Sequence, residues 1–174
     1  IKQDESHIYY TSLGRPVYGG GGIMPDIFVP QDTTGITSYF SMAVNRGLTI
    51  QFAFQYTDQN RQKLQKYDNA DDLLKYLKKQ NILEKFAQFA ESKGIKRRNL
   101  MMYKSRELFN RNLYGNIIYN MLNMEEYLKF LNQSDPTVQK ALEVLKAGNS
   151  FPQAPEQISE EANEGTEKTI AKAN

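Results

Sequence analysis

The sequence predicts a mainly α-helical protein, a bundle of short helices preceded by a small two-stranded, glycine-rich β segment. Three observations lead there. Apolar residues between 36 and 148 recur at intervals of three and four, the spacing of one helix face. Six of the eleven glycines fall within residues 1–35, among β-favouring residues. Residues 149–174 hold one aromatic, Phe151, among Glu, Gln, Ser, Asn and two prolines, which is too little apolar surface to offset the entropy of ordering.

In chain order, His7-Ile8-Tyr9-Tyr10-Thr11 reads as a strand, Ser12-Leu13-Gly14-Arg15 as a turn and Ile27-Phe28-Val29 as a second strand. The four glycines Gly19–Gly22 demand unusual backbone angles or close backbone approach. From Thr34 the pattern turns helical through Ile36, Tyr39, Phe40 and Ala43, with Gly47 as a stop. Leu48, Ile50, Phe52, Phe54 and Tyr56 alternate strictly with other residues, which alone is a strand signal. Helical neighbours and the lack of a nearby pairing partner favour helix.

Asp71-Asp72 starts a helix carrying Leu73, Leu74 and Leu77. A further helix from Ile82 places Leu83, Phe86, Ala87 and Ala90 on one face and ends at Gly94. The longest is expected over about 103–122, with Phe109, Leu113, Ile117 and Met121 in one row. Tyr114, Ile118 and Leu122 form the row beside it. Asn123 with Glu126 reads as a capping arrangement. Asp135-Pro136 opens the last helix, with Val138, Ala141, Leu142 and Leu145 turned inward before Gly148. The tail 149–174 reads as polar and disordered, with room for a short helix near 156–172.

Composition removes several chemistries. Zero cysteines exclude disulfides, thiolate metal sites and a Cys nucleophile, and one histidine excludes any site needing two imidazoles. A net charge of +2 argues against coating nucleic acid or an anionic membrane as a main task. That total conceals a division: residues 1–148 hold 20 basic and 15 acidic side chains, while 149–174 hold five Glu and two Lys. Apolar runs are short, so no membrane span is expected.

The candidate sites are weak when taken singly. Gly19–Gly22 lacks the Gly-Lys-Ser/Thr and G-x-G-x-x-G contexts of phosphate loops, and Pro25 blocks a helix start. His7 has no nucleophile elbow to serve. The carboxylate pairs Asp71-Asp72, Glu125-Glu126 and Glu160-Glu161 read as helix starts and solvated faces, because adjacent helical residues diverge by about 100°. Lys93, Lys96, Arg97 and Arg98 form a basic run without internal aromatics and read as a solvated loop. Lys104-Ser105 are adjacent on a helix, so their side chains point apart. No catalytic, cofactor-binding or metal-binding residue, and no cofactor, is assigned.

One stretch resembles a known family. Tyr9-Tyr10-Thr11-Ser12-Leu13-Gly14-Arg15, followed by Gly22-Ile23-Met24-Pro25-Asp26-Ile27-Phe28-Val29-Pro30, resembles the carboxyl-terminal processing (tail-specific) serine proteases. There a Y-x-x-x-G-R segment leads into G-I-x-P-D-[IV]-x-V. Val17-Tyr18 before the glycines is similar to a version from Gram-negative envelopes. Gln51 to Arg61 and Arg111-Asn112-Leu113-Tyr114-Gly115 resemble that version's helical C-terminal extension.

The resemblance implies a Ser nucleophile and a Lys base that both precede this chain, which lacks an initiating Met. Residues 1–33 then complete a protease core, 34–148 form the extension, and the isolated chain is inactive. It further implies a periplasmic or envelope location. The implied partners are the chain's own core, a second copy, and protein or peptide substrates, with no nucleic acid. The alternative is a non-enzymatic helical interaction module that uses Lys93–Arg98 or an apolar face. RNA binding through the basic body is a weaker third reading.

Overall fold

The computed structural model describes residues 8–12, 14, 16–19, 25 and 27–148. The chain divides into two compact units, one of residues 30–141 and one of residues 1–29 with 142–174. The expected tail helix near 156–172 lies outside the described residues.

In the second of these units, β1 (Ile8–Tyr10) pairs antiparallel with β2 (Pro16–Tyr18), in the register Ile8 to Tyr18, Tyr9 to Val17 and Tyr10 to Pro16. The expected turn closes this hairpin: the Gly14 N–H donates to the Thr11 carbonyl at 2.9 Å, and Gly14 has φ 74°. A left-handed residue there is cheap only for glycine. It reverses the chain at once, so β1 finds its partner at 16–18. Ile27-Phe28-Val29 is therefore not the second strand. Ile27 sits in a bend, and the segment runs irregularly between Pro25 and Pro30.

The expected helical architecture is found, with eight helices among the described residues. The helix expected from Thr34 begins later, as α1 (Ser38–Asn45), because Thr37 is its cap and accepts a hydrogen bond from the Phe40 N–H. Ile36 precedes the cap and is exposed. Gly47, at φ 65°, ends α1 and opens α2 (Leu48–Leu64).

Within α2 the alternating run is helical. Leu48, Phe52 and Tyr56 are buried four residues apart beside Thr49, Ala53 and Thr57, while Ile50 and Phe54 face water. The strand-like alternation is thus a buried helical row plus two exposed apolar residues.

The next two helices follow the sequence closely. Asn69 caps α3 (Ala70–Leu77) through the Asp72 N–H at 2.9 Å, and Leu73 and Leu77 are buried. Asn81, left-handed at φ 50°, makes the corner into α4 (Ile82–Ser92), whose Ile82, Phe86, Ala87 and Ala90 are buried.

The long helix expected from 103 is divided into α5 (Asn99–Lys104) and α6 (Arg106–Met121), with Ser105 non-helical between them. The expected rows of α6 are buried over most of their length: Phe109, Leu113, Ile117 and Ile118 wholly, with Tyr114 beside them, while Met121 is half-buried and Leu122 is the half-buried cap beyond the helix. In α7 (Met124–Asn132), Asn123 accepts from the Glu126 N–H at 2.9 Å. The last helix is α8 (Pro136–Lys146), where Asp135 Oδ1 accepts from the Thr137 and Val138 N–H groups. Its expected inward face is a correction: Val138 is half-buried, but Ala141, Leu142 and Leu145 are exposed.

The core of the 30–141 unit forms around α2 and α6, its principal helix pair. Phe109 of α6 meets Phe40 of α1 edge-on at 4.9 Å between ring centroids, Tyr39 of α1 at 5.9 Å and Phe86 of α4 at 5.2 Å. Phe86 in turn meets Phe52 of α2 at 5.6 Å. Edge-on and tilted pairs at these spacings each contribute about 0.5–1.5 kcal/mol beyond their buried area.

Truncating Phe109 to Ala removes the shared member of three of these pairs and leaves a cavity. Phe109→Ala is expected to lose about 3–5 kcal/mol of unfolding free energy, read as a fall in the urea midpoint at unchanged m-value.

Candidate functional site

Of the residues singled out in the sequence, His7, Leu13, Arg15, Gly20–Gly22, Ile23, Met24, Asp26, Phe151 and Glu160-Glu161 lie outside the described residues. Tyr9 and Tyr10 are exposed on β1.

Asp71 and Asp72 stand in the first turn of α3, where carboxylates favourably face the helix N-terminus. Asp71 accepts from the Gln133 amide at 3.0 Å and lies 3.3 Å from the Lys129 ammonium. Both contacts hold its carboxyl below the usual carboxylate range. Lys75, at 2.9 Å, and Asn69 do the same for Asp72. These groups are fixed as anions, which suits a tie between α3 and α7 and does not suit proton transfer.

Glu125 is exposed. Glu126 reaches across to accept from the Ala70 N–H at 2.5 Å, so it caps α3 and does not close a capping box on its own helix.

The basic run is divided by the fold. Arg97 donates to both carboxylate oxygens of Glu84, a two-pronged pair that lowers the Glu84 pKa. Lys93 lies over the Phe89 ring, 5.5 Å from its centroid. Lys96 and Arg98 point to solvent.

Lys104 and Ser105 do point apart, Lys104 outward and Ser105 fully buried. The Ser105 hydroxyl donates to the Gly35 carbonyl. Thr37 Oγ1 lies 2.8 Å from Ser105 Oγ and accepts from the Phe40 N–H. Because the Ser105 proton is already committed to Gly35, Thr37 is the donor between the two hydroxyls. The result is a latch joining the turn before α1 to the junction of α5 and α6. Gly35 is required there twice over: it has φ 83°, and a β-carbon would lie 3.1 Å from the Lys104 carbonyl oxygen. Ser105 is thus a structural hydroxyl with no base beside it.

Among the described residues, a half-open cleft of about 480 Å³ lies between α1, α2, α6 and α7. Phe40, Ile50, Leu108 and Leu131 give it apolar walls, while Arg111 and Asn112 are among its polar groups. Arg111 donates to the Leu131 carbonyl at 3.4 Å and sits 3.7 Å from Asp135, both long contacts that leave most of its donors available. Asn116 donates to the backbone and side-chain oxygens of Asn112, which orients the Asn112 amide. Tyr127 and Phe130 pack onto Gly115, where a β-carbon would come within 3.4 Å of both rings.

The cleft offers binding chemistry, apolar contact with a guanidinium and an amide, and no nucleophile–base pair. The sequence does not reveal it as a cavity because its residues come from four helices: Phe40 and Ile50 stand out there only for their spacing, and Arg111, Asn112 and Gly115 only for the resemblance they carry. Among the described residues, no group of three or more metal-ligating side chains is brought together. No described helix is long and apolar enough to cross a membrane.

Residues 39–123 match a family of unknown function (DUF8443). The match runs from α1 to the cap of α7, slightly under half of the chain. No curated protein and no solved structure matches the chain.

Two measurements test these roles. Ser105→Ala leaves the Gly35 carbonyl without its donor and is expected to lose about 1–3 kcal/mol in urea unfolding while helical circular dichroism is retained. The second concerns acid. The folded-state pKa values of Asp71, Asp72 and Glu84 lie below their unfolded values, so their stabilisation is complete above about pH 4–5. It is lost as pH falls through the folded values. Thermal midpoints are expected to fall on acidification through that window, and Asp71→Asn is expected to lower the neutral-pH midpoint and flatten the fall.

Proposed function

We propose that this chain is the C-terminal part of a tail-specific serine protease of the Gram-negative periplasm or envelope. In this reading residues 1–33 belong to its catalytic core and 34–148 form a helical extension. The observation that carries the reading is the run from Tyr9 to Arg15 followed by Gly22 to Pro30. Two structural features support it. Gly14 of the Y-x-x-x-G-R segment occupies a left-handed position that closes a hairpin, a physical reason for glycine at that place. The two helical stretches that resemble the extension, 51–61 and 111–115, lie on the paired helices α2 and α6.

The Ser–Lys dyad of this reading lies outside the chain. A buried Lys serves as base because desolvation lowers its pKa. A second reading, a helical module that binds a protein partner, is favoured by the cleft beside Arg111 and by the exposed Ile50 and Phe54.

The product of the intact reading frame is expected to cleave unfolded proteins with apolar C-termini in a serine-dependent way, while the 174-residue chain alone cleaves none. Hydrolysis by the isolated chain, or an intact frame that encodes no Ser and Lys in a protease-like context before residue 1, overturns the protease reading. Stable capture of a folded partner by the chain, together with the second of those results, supports the module.

A further inference from the structure

The short helix α5 and the loop before it carry a concentration of charge that the whole-chain total conceals. Residues 93–106 contain six Lys and Arg side chains and no Asp or Glu. Glu84 engages Arg97, and Glu107 pairs with Arg106 at 3.1 Å. Lys93, Lys96, Arg98 and Lys104 remain, all exposed and none in an ion pair among the described residues. In the same segment Leu100 and Tyr103 are 69% and 66% exposed, among the most open large apolar side chains of the helical unit. Leu100, Tyr103 and Lys104 share the outer face of α5 at three- and four-residue spacing, while Met102 is buried behind them.

We propose that this corner docks on an anionic lipid surface, with Leu100 entering the acyl boundary, Tyr103 at headgroup level and the four cations against lipid phosphates. Aliphatic, tyrosine and basic side chains together on an outer helix face match the layered chemistry of a bilayer interface. The long Lys and Arg stems reach headgroups while their apolar neighbours insert. Nucleic acid fits less well. Its bases require open aromatic faces, and the Arg106 guanidinium covers one face of Tyr103 at 4.5 Å from the ring centroid. An acidic polypeptide would satisfy the cations but offers Leu100 no continuous apolar layer. The low net charge of the chain makes such binding local and oriented, so that one corner meets the membrane and the rest of the surface stays in water.

The test is co-sedimentation of the 174-residue chain with phosphatidylglycerol vesicles and, separately, phosphatidylcholine vesicles at low ionic strength. Binding to the anionic vesicles alone, released by raised salt, is expected. A Lys96→Ala, Arg98→Ala, Lys104→Ala triple variant with unchanged helical circular dichroism is expected to bind about 100-fold more weakly, since each such cation is worth about a factor of five near an anionic surface. Leu100→Ser is expected to weaken binding several-fold with all charges kept. Equal binding to both lipids, absence of binding to phosphatidylglycerol, or an unchanged triple variant overturns the proposal. So does capture by polyglutamate or oligouridine under conditions where the anionic vesicles capture none. The comparison between lipids uses the unaltered chain and stands whether or not the variants fold.

Discussion

The helical unit depends on Phe109. Its ring touches α1 through Tyr39 and Phe40 and α4 through Phe86, and Phe86 passes the contact to Phe52 on α2. Four helices, α1, α2, α4 and α6, are therefore held by one chain of aromatic contacts whose centre is wholly buried. Helices of six to seventeen residues are marginal alone, so each is stabilised chiefly by the face it buries here. The Leu113 and Ile117 row extends the same buried stripe along α6. Burial of three such side chains at four-residue spacing leaves α6 little freedom to rotate, which fixes the positions of Arg111, Asn112 and Gly115 on its remaining face.

A second constraint sets where the stripe begins. Ser105 is turned out of helical geometry by hydrogen bonds to Gly35 and Thr37, and α6 starts one residue later. The same Thr37 oxygen accepts from the α1 backbone. One pair of hydroxyls thus sets the start of α1 and divides α5 from α6. The cost of burying them is met because each has a partner. The division matters for α5. Had 99–121 been one straight helix, Leu100, Tyr103 and Lys104 would have continued the pattern of α6 and would not form a separate outer face.

Much of this was legible in the sequence where it rested on local periodicity or side-chain capping. The rows of α6, the buried faces of α3 and α4, the Asn123 cap and the Asp135-Pro136 start all follow from spacing and cap chemistry. At 48–56 the alternation alone pointed to a strand; helical neighbours and the missing pairing partner pointed to the helix that is found, whose buried residues lie four apart. What was not legible depends on distant partners. Nothing near Ser105 announces that its hydroxyl will meet Gly35 some seventy residues away. The second strand was misplaced because β propensity at Ile27-Phe28-Val29 outweighed a turn signal at Gly14 that puts the partner much nearer. The inward face assigned to α8 failed for a related reason: amphipathic spacing states which face is apolar, not whether anything covers it. The cleft is the extreme case, since four helices contribute to it and none shows it alone.

The charges separate according to the same logic of partners. At the meeting of α3 and α7, Asp71, Asp72 and Glu126 are each engaged, by Lys129 and Gln133, by Lys75 and by the Ala70 N–H. Acid and base alternate there across two helices, so the field of each is cancelled within a few ångströms. Around α5 the arrangement is different. The loop after Gly94 supplies cations in succession, and among the described residues the ion pairs they form are Arg97 with Glu84 and Arg106 with Glu107. The remaining cations stand in the same segment as Leu100 and Tyr103, side chains that folding left in water although Met102 between them is buried. Two unfavourable features, like charges without an ion pair among the described residues and exposed apolar area, therefore coincide on six residues of helix and the loop before it. Either alone is ordinary on a protein surface. Their coincidence is what a surface both anionic and apolar in depth would relieve, and that makes α5 the place where the helical unit is incomplete by itself.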